Sequence, residues 1–197
     1  IDYGQRHKKE LEYAAAICVN LALEHRVADL SSVLPLLAGS SQTDDAVEVP
    51  EGHYTHESMK LTVVPNRNMM MMAVAGAWAV STKSHAVAYA AHAGDHAIYP
   101  DCREDFVTAM RKAFALCSWH QLDLLAPFTS MTKADIAKLG HSLGVPYEKT
   151  WSCYRGGQKH CGRCGTCYER REAFELAGIP DPTGYETDVD STQTVQI

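Results

Sequence analysis

Apolar residues recur at helical period between Lys8 and Glu24, at Leu11, Ala15, Ile17, Cys18, Leu21 and Ala22, and predict an amphipathic helix. Arg26 to Val33 then alternates apolar and polar residues, the period of a half-buried strand. The pattern stops from Ala38 to Met59, a polar stretch with one Pro and two Gly. Loops of that length are uncommon inside a compact domain and read as a lid, another functional loop or a mobile segment. Leu61 to Val64 is a short β-branched run closed by Pro65, and after Asn66-Arg67-Asn68 an apolar helix is predicted from Met69 to about Ser81. His85 to Ala91 reads as a buried strand, Glu104 to Cys117 as a helix with Phe106, Ala109, Met110, Ala113 and Leu116 on one face, and Leu122 to Phe128 as another strand. Thr132 is placed to cap a further helix, with Asp135 three residues on, and Gly144 is its stop signal.

Strands alternating with helices in this way predict an α/β fold with a parallel sheet. Ligands of such sheets bind at the carboxyl ends of the strands. The loops Tyr3 to His7, Pro65 to Asn68, His92 to Arg103 and Thr129 to Lys133 are therefore expected to converge on one site. The length of 197 residues leaves room for one core with a small appendage and rules out two large domains. The longest mainly apolar stretch, Met69 to Val80, is too short for a membrane helix, which needs about 20 residues. With 18 basic against 24 acidic side chains, the chain does not have the charge of a general polyanion binder. Its start, Ile1-Asp2-Tyr3-Gly4, shows no signal-peptide pattern and no initiating Met, which reads as a processed chain or a fragment.

Of 7 cysteines, Cys18, Cys102 and Cys117 are scattered, whereas Cys153, Cys161, Cys164 and Cys167 are clustered. Four clustered thiols suit tetrahedral Zn(II), a borderline-soft ion that favours sulfur, and a closed four-sulfur shell is structural rather than catalytic. An iron–sulfur cluster is the chemical rival, although those spacings usually continue into Cys-Pro. Lys149, Arg155, Lys159, Arg163, Arg170 and Arg171 surround the cluster with only Glu169 as an acid. Part of this charge is expected to balance the negative metal site; a nucleic-acid patch is the other reading.

In the polar loops, Arg67 stands where a strand is expected to hand over to a helix. An arginine fork there can grip a carboxylate or phosphate, helped by the helix N-terminus. The plainer reading is a surface turn with a capping Asn. The His92 to Arg103 loop gathers His92, Asp95, His96, Tyr99, Asp101, Cys102 and Arg103, a density of hydrogen-bonding groups that suits ligand recognition. A metal on His92 and His96 would have no third ligand at a familiar spacing. Lys133 in a first helical turn opposes the helix dipole unless it meets an anion such as phosphate.

Several of these segments occur together in one known family. Val64-Pro65-Asn66-Arg67-Asn68, Tyr99-Pro100-Asp101-Cys102-Arg103 followed by Glu104-Asp105-Phe106, Thr132-Lys133-Ala134-Asp135-Ile136, and Trp151-Ser152-Cys153-Tyr154 with the cysteine cluster resemble the 7-cyano-7-deazaguanine synthases. These are queuosine-pathway enzymes of the PP-loop ATP pyrophosphatase superfamily. The resemblance implies a Rossmann-like fold of the adenine nucleotide alpha-hydrolase type, structural zinc on Cys153, Cys161, Cys164 and Cys167, and a cytoplasmic homodimer. It also implies a reaction in which ATP with magnesium activates the carboxylate of 7-carboxy-7-deazaguanine, ammonia gives an amide, and further activation drives loss of water to the nitrile. Activation is needed because a carboxylate is a poor electrophile with a poor leaving group. Arg67 and Lys133 are the expected catalytic side chains, with Arg67 or Arg103 on the substrate carboxylate and Lys133 on an ATP phosphate. Asp101, Arg103, Asn68 and Asp95 are expected to bind substrate, Asp101 by accepting from the guanine-like amine and ring N–H.

The family opens on a strand and a Ser-Gly-Gly-x-Asp-Ser phosphate loop, and these 197 residues contain no such motif. A βαβ unit takes about 30 residues, so one strand, the loop and one helix are expected before Ile1, and the 197 residues alone are expected to be inactive. The organisation expected is an α/β domain over 1–150, a four-cysteine zinc-binding segment over 151–180 and a polar tail over 181–197. The competing functions are another PP-loop ligase or tRNA-modifying enzyme, and a noncatalytic, zinc-stabilised nucleic-acid-binding module.

Overall fold

The structure, a computed structural model, describes residues 1–53, 56–95 and 99–186. Its continuous ladder is a parallel pair, β1 (Ala86–Ala88) beside β2 (Asp123–Leu125), with Ala86 opposite Asp123 and Ala88 opposite Leu125. Parallel strands need a crossover, and α4 (Glu104–Leu116) supplies it. Helix α3 (Arg67–Ser81) leads into β1 and packs on it, while α4 packs on β2. The main core lies between them: Met72 and Ala79 from α3, Val107, Met110 and Phe114 from α4, and Leu122, Leu124 and Ala126 around β2. Phe114, 4% exposed, is the largest of these side chains, and its burial stabilises the fold by about 2–3 kcal/mol.

Both predicted strands here are shorter than their apolar runs, because Tyr89 continues with a single bond to Leu125 O and the chain then turns away. Two other predicted strands are corrected. Arg26 to Val33 makes one parallel bridge, Asp29 with Asp2, and then winds into a 3-10 turn over Ser31–Leu36. Leu61 to Val64 keeps the alternation of a strand, with Thr62 and Val64 buried and Leu61 and Val63 exposed. Its amides instead close turns, from Thr62 to Met59 O and from Val63 to Lys60 O. Alternating burial is thus satisfied without a ladder, which is why periodicity alone misreads it.

The first helix, α1 (Lys9–Asn20), forms as predicted but stops short of Glu24. The residues Leu11, Ala15, Ile17 and Cys18 are half-buried, whereas Leu21 lies past its end and is exposed. The expected long loop contains a one-turn helix, α2 (His56–Lys60), and a buried stretch in which Ser40, Ser41 and Gln42 are fully enclosed. It is therefore a packed structural element over its described part. Helix α5 (Lys133–Ser142) begins at a reciprocal capping box, Thr132 Oγ1 accepting from the Asp135 amide and the Asp135 carboxylate accepting from the Thr132 amide. It ends just before Gly144, which takes φ +71. Helix α6 (Gly165–Ala177) leaves the cysteine cluster and packs along α5. Residues 180–186 fold back over α6: Asp181 accepts from Tyr185 Oη at 2.6 Å and faces Arg170 at 3.6 Å. The rest of the predicted tail, 187–197, lies outside the described residues. No described helix is long and apolar enough to cross a membrane.

Candidate active site and metal centre

The four clustered cysteines come together as their spacing predicts. Cys153 arrives on an extended segment, Cys161 and Cys164 sit on a tight knuckle, and Cys167 is in the first turn of α6. All four are at most 3% exposed, and their ligand atoms lie within 4.8 Å of one another. The sulfur separations are 3.5 Å for Cys164–Cys167, 3.9 Å for Cys161–Cys167 and 4.0 Å for Cys153–Cys164. A Zn–S bond of about 2.3 Å puts tetrahedral sulfurs about 3.8 Å apart, so the donor set fits such an ion. Backbone amides point at the sulfurs: Cys161 N at Cys153 Sγ (3.4 Å), Cys164 N at Cys161 Sγ (3.3 Å) and Arg163 N at Cys161 Sγ (3.5 Å). Such donors favour thiolate over thiol. Hydrogen bonds within the set hold Cys161 and Cys164 below the ordinary thiol range and push Cys153 and Cys167 above it. Four close thiols cannot all ionise unless a cation shares the charge.

The surrounding cations are largely engaged within the protein. Arg155 and Arg163 both pair with Glu51, Arg171 donates to Gly162 O and covers the Tyr185 ring, and Arg170 donates to Tyr147 O, Thr150 Oγ1 and Thr183 Oγ1. The arginine share of the predicted basic patch thus clamps the knuckle to its neighbours. Gly156, at φ +65, makes one close approach possible: a Cβ there would lie 2.8 Å from Arg6 O.

Beside the knuckle is a cavity of about 330 Å³, lined by Thr62 to Val64, Asn66 to Asn68, Asp95, Tyr99 to Cys102 and Tyr154. It takes its walls from the N-terminus of α3, the 3-10 turn Pro100–Cys102 and the residue after Cys153. Asn66 enters α3 with φ +54 and makes no side-chain cap, which leaves the helix start to the cavity. Asn tolerates that conformation because its short polar side chain bonds locally. Arg67 Nε donates to Asn68 Oδ1 at 3.2 Å. Burial works against the Arg67 charge, but Tyr3, Tyr154 and Asp101 around it hold the guanidinium protonated above its ordinary range. Among the described residues nothing donates a hydrogen bond to the Asp101 carboxylate; the Asp101 backbone is fixed by Tyr89 Oη on its carbonyl at 3.0 Å. Tyr99 Oη and Thr62 Oγ1 are 2.8 Å apart. Thr62 Oγ1 donates its one proton to Met59 O, so Tyr99 donates to Thr62 and turns acceptor lone pairs to the cavity. Burial pushes the Cys102 thiol up to about 11, so it stays protonated and inert.

At the rim, Lys133 Nζ lies 2.6 Å from Glu169 Oε2 and 3.5 Å from Asp95 Oδ1. Burial opposes its charge, yet the two carboxylates hold it firmly protonated. The anion that a lysine in a first helical turn requires is here supplied by α6.

The family model described as "Queuosine biosynthesis protein QueC" matches residues 1–178. The chain belongs to the QueC family. Among curated relatives, the 7-cyano-7-deazaguanine synthase of Allorhizobium ampelinum is 54% identical over 187 residues, 94% of this chain and 79% of that protein. The synthase of Caldicellulosiruptor saccharolyticus is 51% identical over 191 residues, 97% of this chain and 84% of that protein. Mesorhizobium japonicum has a "7-cyano-7-deazaguanine synthase 1" that is 54% identical over 94% of this chain and 80% of that protein.

In this QueC-family chain Arg67, Asn68, Asp95 and Asp101 line one cavity, with Lys133 next to it through Asp95. Arg103 is exposed and is not among the residues that line the cavity; its carbonyl accepts from the Val107 amide at the start of α4. Asn66 to Asn68 converge with Asp95 and Tyr99 to Cys102, and Tyr3 reaches Arg67 from the N-terminal loop. His96 lies outside the described residues; among those described, the four cysteines form the one cluster of three or more groups able to hold a metal. The sequence placed Tyr99 among the recognition groups of its loop but gave no role to Tyr154, whose signal was an aromatic next to a metal ligand.

Proposed function

We propose that this chain is a 7-cyano-7-deazaguanine synthase of queuosine biosynthesis, an ATP-dependent carbon–nitrogen ligase. The observation that carries the reading is a small cavity that pairs the Arg67 cation with the Asp101 carboxylate, an acceptor with no internal donor among the described residues. At about 330 Å³ it is at the small end of ligand sites, which run from about 300 Å³. Such a cavity suits a flat ligand with a carboxylate on one side and an amine and ring N–H on another, the functional groups of 7-carboxy-7-deazaguanine. Arg67 would hold the carboxylate with its planar fork, and Asp101, helped by Asn68 and Asp95, would accept from the donor edge. ATP with magnesium activates one carboxylate oxygen, which leaves on its activating group when ammonia attacks to give an amide. A second ATP activates the remaining amide oxygen, which leaves in the same way as the nitrogen loses two protons, to give the nitrile. Lys133 is the proposed contact for an ATP phosphate, a role in which phosphate replaces Glu169 as its anion.

Zinc is the proposed ion of the four-cysteine centre, where it would lock the knuckle and supply no chemistry. A homodimer in the cytoplasm completes the reading. Calorimetric titration with 7-carboxy-7-deazaguanine tests it. Micromolar binding that Asp101→Asn weakens is expected; failure to bind, or adenine binding as tightly, overturns it.

A further inference from the structure

Tyr154 is the cavity wall contributed by the metal-binding segment. Its position is fixed from several sides. One peptide bond separates it from Cys153, which is fully buried among the other three thiols, and Trp151 Nε1 holds the Cys153 carbonyl at 2.9 Å. The His7 ring packs on Tyr154 at 5.2 Å between centroids, and His7 is itself 4% exposed, with Nε2 3.3 Å from Glu10 Oε2. The backbone of Arg6 and His7 lies on Gly156, two residues further along the knuckle. Yet among the described residues nothing hydrogen-bonds the Tyr154 hydroxyl. Tyr154 is half-buried, and its unmatched hydroxyl opens on a cavity whose polar walls include the acceptors Asp101 and Tyr99 as well as the Arg67 cation. Tyr154 adds a neutral hydroxyl that can donate.

We propose that Tyr154 is a substrate-contacting residue, its hydroxyl bonded to the ligand, and that the metal of the four-cysteine centre sets substrate affinity by holding it in place. This rests on the reading of the cavity as the 7-carboxy-7-deazaguanine site. The metal and the substrate are then linked through one residue, and linkage is reciprocal: bound substrate tightens the grip on the metal by the factor by which the metal tightens the grip on substrate.

The test compares the wild-type chain with Tyr154→Phe, which keeps the ring and removes the hydroxyl. Without ATP, the variant is expected to bind 7-carboxy-7-deazaguanine about 3–10-fold more weakly, the worth of one net hydrogen bond. Its metal content and far-UV circular dichroism are expected to match wild type. Equal affinity overturns the contact, and loss of metal or fold makes the role structural and overturns it too. If wild type itself does not bind the ligand, the cavity assignment fails instead. In the second arm, transfer of metal to a chromophoric chelator is timed with and without saturating ligand. The ligand is expected to slow transfer from wild type, and by a smaller factor from Tyr154→Phe. Equal protection of the two proteins, or none in wild type, overturns the link to the metal.

Discussion

The four-cysteine knuckle and the cavity adjoin at a single peptide bond, between Cys153 and Tyr154, but partner their charged side chains differently. Around the sulfurs, backbone amides are aimed inward and Arg155, Arg163, Arg170 and Arg171 are tied to neighbouring oxygens. In the cavity the Asp101 carboxylate and the Tyr154 hydroxyl have no internal partner among the described residues, and Arg67 faces them with its charge reinforced. The knuckle leaves Ser152 Oγ and Arg155 Nε buried without a partner, but its arginine charges are tied off internally, while the cavity leaves its charged groups for a ligand to complete. The Lys133–Glu169–Asp95 group lies between the two, internally paired but at the cavity rim.

The difference can be broken most forcefully at the knuckle. Cys164→Ser is expected to lose the bound metal and lower the melting temperature by about 10 °C or more, since structural zinc contributes several kcal/mol of folding energy. Full metal content with unchanged melting would mean that the thiols are not ligands. Asp101→Asn should do the reverse, weakening 7-carboxy-7-deazaguanine binding about 10–100-fold while the melting temperature stays within about 2 °C. A large drop in melting would place Asp101 on the structural side. Lys133→Met leaves two carboxylates facing each other, and urea unfolding should show a loss of about 1–3 kcal/mol, moderated because the lysine is 32% exposed. Undiminished stability would assign Lys133 wholly to the cavity.

The smallest effect concerns acid. Burial raises the Asp181 pKa, but Thr183, Tyr185 and Arg170 outweigh it and leave the native value below the ordinary 3.8. A depressed carboxyl stabilises the fold above its unfolded pKa and loses that contribution as pH falls through the native one. Asp181→Asn should therefore cost about 1 kcal/mol near neutrality, and its deficit should vanish as pH is lowered through and beyond 3.8. A deficit that is constant with pH would show that the carboxylate charge contributes nothing.

The knuckle was legible in the sequence because its chemistry is local: three ligands stand within seven residues, and thiols have few other uses in that density. The cavity was legible only in part. Asp101 and Arg103 are two residues apart in one polar loop, and nothing in their order says that the first lines the cavity while the second is exposed. The segments Arg26 to Val33 and Leu61 to Val64 carried strand-like alternation, but a ladder depends on a partner that sequence periodicity does not encode. The capping box at Thr132 was readable because both of its partners lie within three residues. Tyr154 acquires meaning only when the knuckle is folded against residues more than a hundred positions earlier.

The contact of Arg6 and His7 with Gly156 also orders events in time. It joins points about 150 residues apart, so its loop-closure cost must be met before the contact yields anything. During synthesis Arg6 and His7 leave the ribosome long before Tyr154 and Gly156, on which they pack. Local helices such as α4 can form early, while the cavity is completed among the last steps. In pulse-labelling during refolding, the Arg6 amide, bonded to Gln42 O in the native state, is expected to gain protection after the amides of α4.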